Sequence, residues 1–192
     1  MAVMKQIGFC ILLISFAGVP LFSLPAYPEN INNGTILING GIGIGKALES
    51  KLKVPPLILS LDTAIPFASL PFTAGLAVTW SAEEGALQTA SLIPVLHSSG
   101  NLGTALRIGY HEGWGIKNFD SYLQLILGGI TAWETVKTND PLVKNKADEP
   151  KGYFWFGFGA GVRWFFTPIF GINAEISLGN LYNLAIAVSI KV

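Results

Sequence analysis

Charged residues are scarce in this chain. Only 12% of the 192 residues are Asp, Glu, Lys or Arg, against 51% that are hydrophobic, whereas an average soluble domain carries about 25% charged residues. The 12 basic and 12 acidic residues also cancel, which excludes the net positive charge that attracts nucleic acids and anionic surfaces. We therefore expect no nucleic-acid partner, and expect recognition to depend on shape and apolar contact.

Cysteine is nearly absent, and so is an apolar run long enough for a transmembrane helix. The apolar stretch 7–22 is shorter than the roughly 18 residues that a spanning helix needs. It follows Lys5 and precedes small residues, so residues 1–26 are predicted to be a secretory signal peptide that is cleaved after residue 26. The single cysteine, Cys10, lies inside this segment. The expected mature domain, residues 27–192, then has no disulfide bridge and no thiolate nucleophile.

The sequence is rich in alternation with a period of two. Even positions from 154 to 166 are all apolar, while the odd positions from 157 to 163 are three glycines and Arg163. This period indicates a β-strand, and its length, over twice the usual five or six residues, suits an oblique membrane crossing. Since the second face lacks Lys and Glu, we place it in a narrow lumen and the aromatic face against lipid. The alternative is a core strand of a soluble β-sandwich.

Seven further segments alternate in the same way. They cover residues 35–45, 57–65, 72–80, 102–110, 123–133, 172–178 and 182–192. With 152–166 they make eight strands, and the predicted fold is all-β: a membrane-spanning, eight-stranded, antiparallel up-and-down β-barrel. An even number of strands puts both termini on the periplasmic side. The connections at 46–56, 82–100 and 137–151 are then predicted to be long external loops.

Four charged residues are predicted to point into the lumen. Asp62, Arg107, Arg163 and Glu175 each lie about four or five residues from a predicted periplasmic turn, so they should form one layer. Arg163 and Glu175 flank the same turn and are expected to pair across it, whereas Asp62 and Arg107 must meet across the lumen. The sequence therefore predicts a charged plug that closes the lower lumen to ions.

Aromatic residues near the predicted strand ends are expected at the two membrane interfaces, where aromatic girdles of membrane barrels lie. These residues are Trp80, Trp133, Phe154, Trp164, Phe166 and Tyr182.

Two stretches resemble the small eight-stranded outer-membrane barrels of the OmpW, OmpX and OmpA-domain type. Residues 159–179, GAGVRWFFTPIFGINAEISLG, look like the arginine-bearing hairpin with a Thr-Pro turn that is common in these proteins, and the C-terminal strand alternates as theirs does. The resemblance covers roughly residues 35–192. It implies a location in the outer membrane, contact with its lipid and insertion by the outer-membrane assembly machinery. The chain departs from the family by ending in Lys191-Val192, where members often end in Phe.

The resemblance implies two functions. In the first, as in OmpW, the barrel passes or binds small apolar molecules, and an apolar pocket opening through the wall would favour it. In the alternative, as in OmpX, the surface-exposed loops bind host or envelope partners and the barrel is only a mount. Strands extended above the membrane with exposed edges would favour this function. An open diffusion pore is disfavoured because side chains fill a lumen of eight strands.

Enzymatic activity is not expected, although one motif suggests a minor alternative. His97 and Ser99 match the His-x-Ser pair on the lipid-facing wall of outer-membrane lipid A deacylases, in which Ser99 would be the nucleophile and His97 its base. Gly100 replaces the Asn that is usual next in that family. His111 is expected at the lumen or its rim as a packing residue, because no second His or Cys can join it in a metal site. No cofactor is expected.

Overall fold

The computed structural model describes residues 31–44, 52–67, 70–88, 94–139, 143–178 and 182–192. These residues form the strands β1 (Ile36–Ile44), β2 (Leu52–Phe67), β3 (Leu70–Gln88), β4 (Pro94–Glu112), β5 (Phe119–Thr138), β6 (Lys146–Ala147), β7 (Lys151–Phe165), β8 (Phe170–Leu178) and β9 (Leu184–Lys191). The predicted signal peptide lies outside the described residues. Among the described residues, no helix is both long enough and apolar enough to cross a membrane.

Eight of the strands close into a ring. Each of β1 to β4 pairs with the strand that follows it, and β5 pairs with β7. The strand β7 then pairs with β8, β8 with β9, and β9 with β1, and every one of these pairs is antiparallel. The two-residue strand β6 lies outside the ring and pairs with the end of β5. The predicted eight-stranded antiparallel up-and-down barrel is confirmed. Closure pairs the backbone polar groups of the wall, as a lipid environment requires.

The two faces of the wall differ as the alternation predicts. In β8 exposed and buried residues alternate without exception, and in β7 Phe154, Phe156 and Phe158 are among the most exposed residues while Arg163 is buried. Because large apolar side chains point outward and polar ones inward, the wall is inverted relative to a soluble barrel. This is the arrangement of an outer-membrane barrel, whose apolar band meets lipid.

Glycines on the inner face of β7 make room for large side chains from β5. A Cβ atom at Gly161 would overlap the ring of Tyr122, and one at Gly159 would overlap the amide of Gln124. In the register of β5 and β7, Tyr122 lies directly opposite Gly161, and Gln124 lies directly opposite Gly159. The glycines therefore fit the narrow lumen that the sequence predicts.

The two ends of the barrel are unlike. The end that carries residues 31–35 and Val192 is named the terminal end, since the backbone nitrogen of Ile36 donates to the Val192 carbonyl there. Ile31, Leu37, Ala64 and Phe165 form a buried apolar cluster at this end. The turn that joins β4 to β5 at the same end needs left-handed backbone at Trp114, Gly115 and Asn118.

At the opposite end, β2 to β5 continue far beyond the other strands. The prediction of a loop at residues 82–100 is wrong, because β3 and β4 stay paired without interruption to Gln88 and Pro94. The predicted loop 46–56 is wrong in part, because β2 begins at Leu52. The predicted loop 137–151 is also wrong in part, because it includes the end of β5, the strand β6 and the first residue of β7. The alternation of apolar and polar residues does not reveal these segments as strands, because their outer face carries Ser, Glu and Gly in place of apolar residues. Both faces meet water there, so alternation ends although the strands do not.

A substitution on the lipid-facing wall tests the membrane position of the ring. Phe158 lies on the outer face beside Leu125 and Leu178 and is 54% exposed. We expect Phe158→Arg to lower the free energy of unfolding by about 2–4 kcal/mol, because an arginine near mid-membrane displaces lipid contacts and brings a charge into hydrocarbon. Denaturant titration of the barrel in lipid vesicles measures this change.

The matched control is Trp133→Arg. Trp133 pairs with Gly100 in the part of β5 that continues beyond β7, so the same substitution should cost only about 0–1 kcal/mol there. Equal costs at the two positions would contradict this placement of the membrane.

Candidate functional site

All four of the predicted lumen charges point into the lumen. Asp62, Arg107, Arg163 and Glu175 are each at most 6% exposed. Asp62 and Arg107 meet as predicted, whereas Arg163 and Glu175 have other partners, because the structure arranges the charges around two arginines.

Arg107 lies at the centre of the first group. Its terminal nitrogen lies 3.2 Å from Glu175 Oε2, and its Nε lies 3.5 Å from Asp62 Oδ1. It also donates to the side-chain oxygen of Gln124. Asp62 and Arg107 thus meet across the lumen, and Arg107 bridges two carboxylates.

Glu175 accepts two further hydrogen bonds from phenol groups. The hydroxyl of Tyr122 donates to Oε2 at 3.1 Å, and that of Tyr182 donates to Oε1 at 2.6 Å. Together with Arg107, three donors from three strands or turns converge on this one carboxylate. Hydrogen bonds between such donors and a carboxylate are shorter and stronger than those between neutral groups.

Arg163 lies at the centre of the second group, nearer the terminal end. Its NH1 group donates to Asp120 Oδ2 at 2.7 Å, and its Nε donates to Ser189 Oγ at 2.9 Å. The predicted pair of Arg163 with Glu175 is therefore replaced by a pair with Asp120. The reason is register: Arg163 lies directly opposite Asp120 across β5 and β7, whereas its opposite residue on β8 is Asn173.

Asp120 is a lumen residue that the predicted strands leave out, because it lies between the strand predicted at 102–110 and the one predicted at 123–133. Its side chain is fully buried. The signal that could have found it is the spacing of Asp120, Tyr122 and Gln124 at alternate positions, which continues the inner face of β5 by two residues.

His111 connects to the second group. Its Nδ1 lies 2.9 Å from Asp120 Oδ1, its Nε2 lies 2.9 Å from Thr73 Oγ1, and the ring packs on Tyr122 with 5.4 Å between centroids. His111 is thus a lumen residue with both ring nitrogens in hydrogen bonds. Within the described residues, no group of three His, Cys, Asp or Glu side chains is placed to hold a metal ion.

The network fills most of the lumen. Among the described residues, the lumen contains two small cavities, each of about 10 Å³ when measured as the space that the centre of a water molecule can occupy. That volume suits about one water molecule. Arg107 lines both cavities. The described lumen is therefore a packed polar core, which agrees with the size of an eight-stranded ring.

Five of the six aromatic residues predicted at the membrane interfaces lie on the outer face of the barrel wall. Trp80, Phe154, Trp164 and Phe166 are exposed on the outside of the barrel, and Trp133 is half-buried because its ring covers Gly100.

The prediction that Tyr182 lies at the membrane interface is wrong, because its side chain lies in the lumen. It is 2% exposed and packs against Ile58 and Ala185. The strand β9 begins only at Leu184, and the backbone nitrogen of Asn183 donates to Ile44. Alternation counted back from β9 therefore does not apply to Tyr182, whose ring turns inward to Glu175.

His97 and Ser99 lie on the inner face of β4, the face that also carries Arg107 and His111. The Nε2 atom of His97 lies 3.7 Å from Glu134 Oε2, and Ser99 is the direct cross-strand neighbour of Glu134. An acid thus lies beside the pair, but all three residues face away from lipid. A lipid substrate in the wall would lie on the other side of the sheet, which differs from the lipid-facing position that the deacylase resemblance implies.

The second candidate site is the extended sheet, defined as residues 52–56 of β2, 81–88 of β3, 94–101 of β4, 132–138 of β5 and the strand β6. It has two lateral edges. At the β2 edge, Pro55 and Pro56 remove two backbone donors, which hinders pairing with a further strand. At the β5 edge, β6 covers Thr135 and Val136.

Beside β6, Lys146 and Asp148 form an ion pair at the surface. Their hydrogen bond raises the pKa of Lys146 and lowers the pKa of Asp148. The edges of the extended sheet are thus protected from strand addition by proline on one side and by a charged turn on the other.

No protein-family model and no curated protein matches the chain. Among solved structures, the chain is similar to Ail, the attachment invasion locus protein of Yersinia pestis. The structure of Ail with the heparin analogue sucrose octasulfate gives a TM-score of 0.46 at 12% identity, over 83% of this chain and 96% of that chain. The backbone structure of Ail in a phospholipid bilayer nanodisc gives 0.39 at 13% identity, over 83% and 100%. The fold of this chain is established by its own strand pairing.

A double-mutant cycle tests the pairing inside the lumen. We expect Arg163→Met and Asp120→Asn each to destabilise the barrel by about 3–5 kcal/mol, because each leaves a buried partner without its counter-charge. The coupling energy of the double variant should be about 1–3 kcal/mol. Unfolding free energies in lipid vesicles give all four corners of the cycle.

The comparison cycle combines Arg163→Met with Glu175→Gln. These two residues make no direct contact among the described ones: they share Tyr122, whose ring lies 5.1 Å from the guanidinium of Arg163, and they connect otherwise through Asn39, Asp62 and Arg107. The coupling should therefore be smaller. A larger coupling energy in this cycle than in the first would contradict the Arg163–Asp120 pair and favour the Arg163–Glu175 pair that the sequence predicts.

Proposed function

We propose that this protein is a surface-interaction barrel of the outer membrane, in which the ring is a closed mount and the extended sheet binds a macromolecule outside the cell. The observation that supports this function is the length of the strands. A tilted strand crosses a membrane with about 9–11 residues, whereas β3, β4 and β5 have 19, 19 and 20 residues. Roughly half of each strand therefore stands beyond the hydrocarbon.

The surface chemistry of the extended sheet suits contact with a partner protein. Its outer face combines exposed Leu96 with polar side chains such as Glu84 and Lys137, and exposed Trp80 directly precedes the β3 part of the sheet. Aromatic and apolar residues within a polar surround are typical of protein interfaces. Since both edges are blunted, we infer that a partner binds the faces and the tip of the sheet, and does not add a strand to it.

Passage of small apolar molecules, the first function suggested by the sequence, has less support. Within the described residues, each of the two lumen cavities has room for about one water molecule, and Arg107 lines both. An apolar solute in the lumen would have to displace charged groups that are hydrogen-bonded to one another, at a cost of several kcal/mol.

Liposome and bilayer measurements separate the two functions. We expect the purified barrel to show no steady conductance in planar bilayers, and to take up a small apolar solute into liposomes no faster than protein-free liposomes do. The physical reason is the charged and packed lumen. Saturable uptake, or a large stable conductance, would favour the passage function over the one proposed.

Trimming the extended sheet tests the proposed function directly. Glu83 and Ser99 are cross-strand neighbours, so residues 84–98 can be replaced by Asn-Gly, a two-residue turn that suits a hairpin. Bacteria that display the complete chain should adhere to immobilised extracellular-matrix proteins or cultured epithelial cells, and bacteria that display the trimmed chain should adhere at the level of cells without the barrel.

The control is the heat-dependent shift of the trimmed barrel on a detergent gel, which shows that the ring is folded. The variant Lys146→Gln, which changes one charge beside β6 and leaves the hairpin complete, serves as the matched surface variant. Equal adhesion by the complete and trimmed chains would contradict the proposal.

A further inference from the structure

The turn that joins β4 to β5 holds Trp114 in a conformation that large side chains rarely adopt. Its φ is 54°, in the left-handed region, and Gly115 follows with a φ of 66°. A bulky residue in this region is strained and persists only where its surroundings hold it. The contacts around Trp114 therefore indicate what the turn presents.

Three hydrogen bonds fix the indole ring against the outside of the barrel. Trp114 Nε1 donates to Ser121 Oγ at 2.7 Å, and Ser121 Oγ donates to the Glu112 carbonyl at 3.0 Å. The backbone nitrogen of Trp114 donates to Glu112 Oε1 at 3.2 Å. Ser121 occupies an outward position of β5, two residues before exposed Leu123, yet it is only 6% exposed. The indole therefore covers Ser121, while Trp114 itself stays 44% exposed.

Glu112 lies on the same outer face. It is directly opposite Ser121 and continues the outward series of β4 that includes exposed Ile108. Tyr110, the residue before it in that series, is hydrogen-bonded to the Glu112 side chain and packs edge-on against Phe72, with 5.6 Å between ring centroids. The carboxylate is thus flanked by a phenol ring and by the indole.

Further aromatic residues place this group at a membrane interface. On β5 and β7, nearer the terminal end than Ser121, the rings of Phe119 and Trp164 contact each other with 6.4 Å between centroids. Val162, directly opposite Ser121 on β7, is 42% exposed. Aromatic belts of membrane proteins lie at the level of the lipid headgroups. A carboxylate among these rings therefore meets headgroups.

No cation of the described residues pairs with Glu112. None of the ion pairs in that part of the chain includes it. A carboxylate can accept about four hydrogen bonds, and Trp114 and Tyr110 provide two of them. Glu112 is also partly exposed, so a donor from outside the chain can reach it. Holding the turn explains only part of what this carboxylate can bind.

We propose that Glu112, Trp114 and Tyr110 form a binding site for the primary ammonium group of a phospholipid headgroup. The ammonium donates to the Glu112 carboxylate, which can only accept. The exposed face of Trp114 attracts the same cation through the negative charge of its ring. The fixed orientation of the indole, held by Ser121, lets both groups act on one ligand.

The chemistry of the site distinguishes between headgroups. A trimethylammonium group can lie on the indole but has no N–H to donate to the carboxylate. A headgroup with a phosphate and no cation is repelled by Glu112. Exposed Lys117 in the same turn suits a phosphate, which all these lipids carry, so the ammonium group is what sets them apart. Phosphatidylethanolamine is therefore preferred over phosphatidylcholine and phosphatidylglycerol.

Unfolding in vesicles of different composition tests the proposal. Glu112→Gln removes the charge but keeps an oxygen that can accept from the Trp114 backbone, so the turn is retained. When phosphatidylethanolamine is added to phosphatidylcholine vesicles, the ratio of folded to unfolded barrel in urea should rise about three- to tenfold more for the unsubstituted chain than for Glu112→Gln. Equal changes for the two chains would overturn the proposal.

Two controls separate binding from general effects of the bilayer. Glu149→Gln removes an exposed carboxylate beside β6, at the other end of the barrel, and should respond to phosphatidylethanolamine as the unsubstituted chain does. Added phosphatidylglycerol should give no gain that depends on Glu112. A gain of the same size with phosphatidylglycerol would overturn the proposal, because that lipid has no ammonium group.

Native mass spectrometry gives a second readout on the unsubstituted barrel. From mixed micelles that contain equal amounts of phosphatidylethanolamine and phosphatidylcholine, the barrel should retain phosphatidylethanolamine preferentially, and Glu112→Gln should retain the two lipids equally. If Glu112→Gln does not fold, the unsubstituted barrel decides alone. Retention of the two lipids in equal amounts by that barrel would overturn the proposal.

Discussion

The narrow interior of an eight-stranded ring is the constraint on which the rest of this structure depends. Such a ring leaves a space that side chains just fill. A large side chain from one strand therefore needs a small residue opposite, as when Tyr122 and Gln124 of β5 lie over Gly161 and Gly159 of β7. Any charged group that points inward is cut off from bulk water, so it must find its partners in the same few layers. The two arginine-centred groups follow from this requirement.

The fold could be predicted from the sequence because lipid outside and a polar lumen inside impose opposite demands on successive residues. Strands such as β7 and β8 carry that contrast at every position. The contrast disappears in the extended sheet, where both faces meet water. The sequence around Glu84 and Ser98 therefore predicts a loop, although the two residues are direct cross-strand neighbours.

The partners inside the lumen were harder to predict than the residues that point into it. Inward direction depends only on local alternation, and Asp62, Arg107, Arg163 and Glu175 are buried in the structure. Partner choice depends on the register of neighbouring strands and on side-chain reach across the lumen. A shift of two residues separates Arg163 from Glu175 on β8, while the β5 register sets Asp120 directly beside it. Tyr182 shows a further limit, because it precedes its strand and no longer obeys the alternation.

The polar lumen is not required by stability alone. Replacing a buried ion pair by apolar residues often leaves a protein equally stable or more stable, so an apolar core could in principle fill this ring. An apolar inner face, however, would remove the alternation that distinguishes lumen from lipid in strands such as β7. Glycine and Arg163 on the inner face of β7 preserve that contrast. Because the lumen is polar, its charges must find partners within it, and the hydrogen-bond network supplies them.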